Sequence, residues 1–343
     1  MNRIIFTALA LSVLLFTEST NAAQDFSKVK VETIPLTDKI YMLKGSGGNI
    51  GLFAGKDGVF MIDDQFAPLT PKILAAIKKI TPDPVRLLLN THWHFDHSGG
   101  NENMGKAGAT IISHDNVRKL MSAPQELKAF GMKVPAAPKG ALPIMTFSND
   151  TTIHLDGETI LIRHLPNAHT NGDSFVQFKK ANVIHTGDTF FNGFYPFIDT
   201  EHGGSIAGMI KAANTILSIA DDKTKIIPGH GPLADKAKLI AFRDMLKGVE
   251  KLSIAARAKK QPYDELALST PVKKIEVKWG KGFLNTKTFL KIVYSGMDKY
   301  LTFQGYPSGH APSFDGSLAH GYCGPDICVS VHHFGWHDGR INP

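Results

Sequence analysis

Cysteine is nearly missing from this chain of 343 residues, in which Cys323 and Cys328 are the only two. At most one disulfide can form, closing a small Gly-Pro loop if the chain meets an oxidising compartment. The fold must therefore rest on a packed core, for which a hydrophobic share of 43% is ample. Long apolar runs are missing too. The one strongly apolar segment, Ile4 to Phe16, is too short for a comfortable membrane span. With Arg3 before it and Thr20-Asn21-Ala22 after it, it reads as a signal peptide over residues 1–22, with an uncleaved anchor as the alternative. The expected location is periplasmic or secreted, with no stable membrane insertion once the segment is cut away. Cleavage removes Arg3 and Glu18, so the net charge of +7 is unchanged. Basic pairs such as Lys78-Lys79, Lys179-Lys180, Lys259-Lys260 and Lys273-Lys274 are dispersed and none is interleaved with aromatics, so no nucleic-acid partner is expected. No repeat of solenoid period is present, nor any flavin-binding or rubredoxin-like segment.

Histidine, by contrast, is plentiful, and its placement is informative. His92, Trp93, His94, Phe95, Asp96 and His97 form an H-x-H-x-D-H run. In an extended or looping backbone, residues two apart point the same way, so His92 and His94 can share one metal ion. Asp96 and His97 then point elsewhere and can reach a second. Nitrogen and oxygen donors at this density suit zinc or a similar first-row ion. The run follows Val85 to Leu89, which reads as a buried strand, and Gly99-Gly100 follows it. A loop leaving the C-terminal end of a strand is where α/β sheets usually place their chemistry.

Further histidines and carboxylates sit at other strand ends. His169-Thr170-Asn171-Gly172-Asp173 precedes the alternating strand Ser174 to Phe178; His185-Thr186-Gly187-Asp188 follows a strand around Val183 and Ile184; Pro228-Gly229-His230-Gly231 follows another short strand. His185 lies inside its strand, which argues for a packed or supporting role. Asp63-Asp64 ends the strand Val59 to Ile62, where a carboxylate can take a ligand histidine's spare N–H and fix its tautomer.

These motifs in this order resemble the metallo-β-lactamase fold superfamily over about residues 32–250. The resemblance implies a four-layer αββα sandwich, an α+β fold, with a two-metal site at the sheet edges. It implies that His92, His94 and His169 hold one zinc, that Asp96, His97 and His230 hold the other, and that Asp188 bridges them. Two Zn²⁺ are expected, with iron or manganese as the alternatives. The zinc β-lactamases of this fold usually carry Cys or Ser where Asp188 stands; Asp there resembles the glyoxalase II, lactonase and phosphodiesterase-like branches. In many relatives Gly precedes the third-motif histidine, whereas Ala168 does so here.

The expected organisation is a hydrolase domain over 30–250, a C-terminal extension over 251–302 packing on the sandwich, and a disordered Gly/Pro/His-rich tail over 303–343. Helices are expected near 69–80, from 101, from 115 and over 235–260. Residues 124–143 hold four prolines and read as a surface excursion near the site mouth. The expected activity is that of a zinc-dependent hydrolase of ester, lactone, thioester or amide/lactam bonds in a small-molecule substrate. Zinc brings the pKa of bound water toward about 7, which yields a bridging hydroxide at neutral pH, and Asp96 is the residue expected to orient it catalytically. A dedicated β-lactamase, a metal-binding protein without turnover and a di-iron oxidoreductase are the alternatives. Asn192 and Tyr195 are read as pocket-lining or structural.

Overall fold

The computed structural model describes residues 25–303. The expected signal peptide and the expected tail from residue 304, including Cys323 and Cys328, lie outside the described residues.

Among the described residues, fourteen strands and nine α-helices follow one another. The first part holds β1 (Glu32–Pro35), β2 (Ile40–Lys44), β3 (Ile50–Gly55), β4 (Gly58–Ile62), α1 (Thr70–Ile77), β5 (Val85–Asn90), α2 (Phe95–Ser98), α3 (Asn101–Lys106), β6 (Thr110–His114) and α4 (Asp115–Met121). A small hairpin, β7 (Gln125–Leu127) and β8 (Met132–Val134), precedes β9 (Met145–Phe147), β10 (Asp150–Leu155), β11 (Glu158–His164), β12 (Ser174–Phe178) and β13 (Val183–His185). The last part is α5 (Ile206–Leu217), β14 (Lys225–Ile227), α6 (Lys236–Ala258), α7 (Tyr263–Ala267), α8 (Thr270–Trp279) and α9 (Thr286–Phe303).

The strands form a seven-stranded sheet in the order β1-β2-β3-β4-β5-β6-β9 and a five-stranded sheet in the order β10-β11-β12-β13-β14. Alternation along the strands explains how they stack. In β4, Phe60 and Ile62 face the second sheet, where Ile160, Ile162, Val176 and Phe178 meet them. Val59 and Met61 face the other way, onto Leu69, Ile73, Ile77 and Met104 of the first helical layer. On the outer face of the second sheet, Phe175, Ile184 and Ile226 pack against α5 and α6. The central strands are thus buried on both faces, which is why β4 reads as a continuous apolar run and β5 as one from Leu87 to Leu89. The result is helix, sheet, sheet, helix: the expected αββα sandwich with a C-terminal helical extension. Leu266, Val272, Phe289 and Leu290 of α7 to α9 join the same core as Phe242 of α6. Among the described residues no helix is long and apolar enough to cross a membrane.

The topology gathers strand ends on one edge. β4 and β5 run parallel, as do β13 and β14. β12 is antiparallel to β13, with Val176 opposite His185, so its N-terminal end lies beside the C-terminal end of β13. The loops after β4, β5, β13 and β14, and the loop before β12, therefore open on the same side.

Candidate metal centre

The backbone of the H-x-H-x-D-H run explains how its side chains divide. His94 is extended (φ −63°, ψ 144°) and caps the single turn of α2. His92 and His94 therefore project together, while the helical turn swings Asp96 and His97 to a second position. Four ligating atoms from His92, His94, His169 and Asp188 cluster together, and three from Asp96, His97 and His230 form a neighbouring cluster; within each, all lie within 4.8 Å of one another. Asp188 connects the two. Its Oδ1 is 3.0 Å from His97 Nε2, and its Oδ2 is 3.5 Å from His169 Nε2 and 3.4 Å from His230 Nε2. All seven residues named from the sequence meet at this point. His185 does not: its ring accepts from the Gly187 amide and bonds the Asn49 carbonyl inside the sandwich.

The hydrogen bonds around the cluster set which ring nitrogens face inward. His169 Nδ1 lies 2.8 Å from the Phe197 carbonyl, which can only accept, so the proton sits on Nδ1 and the Nε2 lone pair faces the cluster. His97 Nδ1 donates to Asp63 at 2.8 Å, and His94 Nε2 donates to Asp199 at 3.0 Å. Asp63 itself is held by the Thr91 amide and hydroxyl, at 2.7 and 2.8 Å, from a left-handed backbone position at the end of β4 (φ 61°). Asp173 bonds the Thr170 amide and hydroxyl and so fixes the loop that carries His169.

Two observations show that this donor set fits cations. His94 Nδ1 and His169 Nε2 face each other at 2.8 Å as lone pairs, an arrangement that repels unless a positive charge lies between them. Also, His92 Nε2 is buried with no hydrogen-bond partner, and such an atom is costly unless something else satisfies it. Two glycines make the approach possible. A Cβ on Gly229 would overlap Asp188 Oδ1, and one on Gly48 would overlap the His97 ring.

The electrostatics divide the histidines. Burial pushes His92 well below the usual imidazole range and His169 down to about 4, with neighbouring imidazoles adding to both effects. Burial acts the same way on His230, but Asp188 and Asp96 outweigh it and hold that ring up at about 9. His97 is raised likewise by Asp188, Asp96 and Asp63 against burial. For Asp96, burial works upward, yet His97 and His230 hold it down at about 2. Asp188 is held well below the carboxylate range by His230, His97 and His92, again against burial.

Sequence reasoning missed Asp199. It is buried, lies 105 residues from His94 and also accepts from His202 Nδ1 at 2.7 Å. No local pattern marks it. Tyr195 is taken up by stacking on Phe289 at 4.5 Å, and Asn192 by a bond to the Pro232 carbonyl.

A family model described as the metallo-beta-lactamase superfamily matches residues 43–230, more than half of the chain and the span that holds every residue of the two clusters. The chain belongs to this superfamily. Among relatives, an uncharacterized protein of Mycobacterium leprae is 28% identical over 204 residues, which cover 57% of this chain and 90% of the relative. A probable hydroxyacylglutathione hydrolase of Schizosaccharomyces pombe is 28% identical over 208 residues, covering 58% of this chain and 70% of the relative. Among solved structures, a metallo-beta-lactamase from Pontibacter korlensis matches with a TM-score of 0.53 at 18% identity, over 64% of this chain and 99% of that one. A stereoselective inverting sec-alkylsulfatase from a Pseudomonas species matches with a TM-score of 0.58 at 18% identity, over 82% of this chain and 52% of that one. At such identities the two structures speak for the fold alone. Membership of the superfamily, with the two His/Asp clusters, makes this metallo-β-lactamase-fold protein a metal-dependent hydrolase that uses divalent ions.

Proposed function

We propose that this superfamily member is an exported two-zinc hydrolase of acyl bonds in small molecules, acting on esters, thioesters or lactones. The observation that carries the reading is the placement of Asp188, whose two oxygens reach ligating nitrogens of both clusters. In this reading His92, His94 and His169 would hold one ion and Asp96, His97 and His230 the other, with Asp188 placed to serve both. A bound pair supplies Lewis acidity toward the substrate oxygen and an activated water as nucleophile.

The chain's own residues then do the rest. Asp63 and Asp199 keep His97 and His94 in the tautomers that ligation needs. Asp96 and His230 are the more open members of the site, with side chains 23% and 21% exposed. Substrate therefore approaches from their side. There the Asp96 carboxylate can orient the attacking water and take its proton. Aspartate at position 188, rather than Cys or Ser, favours acyl esters, thioesters and lactones over dedicated β-lactam turnover, and the hydroxyacylglutathione hydrolase relative points toward a thioester. The apolar segment Ile4 to Phe16 supports export to the periplasm.

The test is metal analysis of the purified chain together with a reporter screen over esters, thioesters, lactones, penicillins and carbapenems. Two zinc ions per chain and metal-dependent acyl turnover are expected. A single ion in a fully loaded sample would refute the paired site. Efficiency near about 10⁴ M⁻¹s⁻¹ or more on a β-lactam alone would assign a β-lactamase instead. No turnover of any reporter would leave a metal-binding protein.

A further inference from the structure

Two chains of phenylalanine rings run outward from the metal clusters, and both end in exposed rings. On one side Phe197 packs 5.6 Å from His94 and 5.7 Å from His169, and Phe130 packs 4.8 Å beyond it. On the other, Phe191 stacks on His230 at 5.1 Å and 19°, with Phe194 at 5.8 Å and Phe283 at 6.4 Å from it. Phe130 is 43% exposed and Phe283 58%, and Met132, 39% exposed, adds to the first wall. Phe130 lies in the turn between β7 and β8, and Phe283 in the loop between α8 and α9. Neither segment supplies a residue to the metal clusters, so neither exposed ring is explained by ligation.

The hairpin that carries Phe130 is not free of the site. Gln125 of β7 meets His202 Nε2 at 3.2 Å, and His202 Nδ1 meets Asp199, which in turn holds His94. This relay fixes the hairpin against a proposed metal ligand. Phe197 also lines a cavity of about 320 Å³ with Leu127 of the hairpin and Ile292 of α9. Exposed aromatic rings gain when an apolar group covers them, and substrate sites commonly join apolar walls to a few polar groups.

We propose that Phe130 and Phe283 form the walls of a subsite for an apolar acyl group, so that the preferred substrate carries an alkyl or aryl acyl chain rather than a short or charged one. The inference rests on the acyl-hydrolase reading above and names the substrate class of the same site. Both side chains are about half exposed and lie outside the buried core, so truncating them threatens the fold little.

The experiment uses the zinc-loaded full chain and p-nitrophenyl acetate, butyrate and octanoate. The ratio of kcat/KM for octanoate to that for acetate is expected to be about tenfold or more, carried mainly by KM. Phe130→Ala and Phe283→Ala should each lower that ratio about threefold or more, and Phe130→Leu should restore most of it. Leu268→Ala, at an exposed position outside both ring chains, should leave the ratio unchanged. Calorimetry should show octanoate, the product, binding more tightly than acetate in wild type and losing that advantage in both alanine variants. A flat chain-length series with sound acetate turnover overturns the subsite alone, as does a preference that survives both alanine substitutions. Absence of metal-dependent turnover on every ester overturns the acyl-hydrolase reading and this inference with it.

Discussion

Asp199 and Asp63 hold different clusters, so removing them should damage different ions. Asp199→Ala deletes the acceptor of His94 Nε2 at 3.0 Å and of His202 Nδ1 at 2.7 Å, while the bond from His97 to Asp63 is untouched. His94 then loses the contact that fixes its tautomer and orientation. Losing such a partner costs about 10- to 100-fold in metal affinity, or about 1.4–2.7 kcal/mol. The loss should fall on the ion held by His92, His94 and His169. Asp63→Ala should reverse the pattern, weakening the ion held by Asp96, His97 and His230. It should also lower the melting temperature more, because Asp63 anchors the Thr91 amide and hydroxyl as well. Stepwise zinc competition against a chromogenic chelator resolves the two affinities, and Asp199→Asn, which keeps an acceptor but loses the charge, should fall between wild type and alanine. Equal weakening of both ions by each variant, or none by either, would refute the division of labour between these two carboxylates.

Four further outcomes follow from the geometry. Asp96→Ala should cut turnover by at least about 100-fold with the melting curve near that of wild type, whereas His185→Ala should cost about 2–4 kcal/mol of stability with turnover per folded, loaded molecule largely kept; circular dichroism and activity on matched samples separate them. Gly229→Ala should displace Asp188, because the added Cβ overlaps its Oδ1, and metal content measured by atomic spectroscopy should fall below that of wild type. His230, held up at about 9 against 6.5 for a free ring, keeps a proton that stabilises the metal-free fold fully below pH 6.5, and this stabilisation is lost as pH rises through 9. An ion must displace that proton, so zinc affinity at this cluster should rise by up to about tenfold per pH unit between pH 6.5 and 9, with proton release seen by calorimetry in two buffers; an affinity independent of pH would refute it. Chelation should lower the melting temperature of the wild type, and the shift should grow with free zinc as linkage requires.

The sequence carries the ligands because their spacing is local, and lacks their supports because those act through space. The H-x-H-x-D-H run fits the observed backbone, with an extended pair followed by one helical turn. Val85 to Leu89 is legible as a strand because its residues other than Arg86 are apolar, whereas Ser174 to Phe178, expected to alternate, is buried at every position but Gln177. Asp63 is legible because it ends a strand. Asp199 is not, since it lies in an irregular stretch far from His94 in the chain. The carbonyl of Phe197 that fixes the His169 tautomer has no sequence signature at all, because every residue owns a carbonyl. Helix α1 stops at Ile77 rather than at Ile80, where the chain tightens into turns before Pro82. The stretch 124–143 reads as bare surface excursion, yet it contains the β7–β8 hairpin, whose few apolar residues give too short a pattern to register.

The buried carboxylates around the centre are not equivalent, and their differences bear on how many ions it takes. Burial pushes Asp64 well above the usual carboxylate range and Asp173 up to about 8. Their oxygens serve backbone amides, at Gly100 and Thr170, and the Thr170 hydroxyl. Asp96, Asp188 and Asp199 face imidazoles and are held low in spite of burial. A single divalent ion leaves part of the negative charge of Asp96, Asp188 and Asp199 uncompensated in a buried site, which is costly, whereas two ions cover it. Without ions, protons on His97 and His230 make up part of the deficit, and these are the two rings that the carboxylates raise. The same pair of carboxylates, Asp96 and Asp188, thus keeps protons on His97 and His230 in one state and would hold ions in the other, so metal uptake and proton release are two readings of a single charge balance.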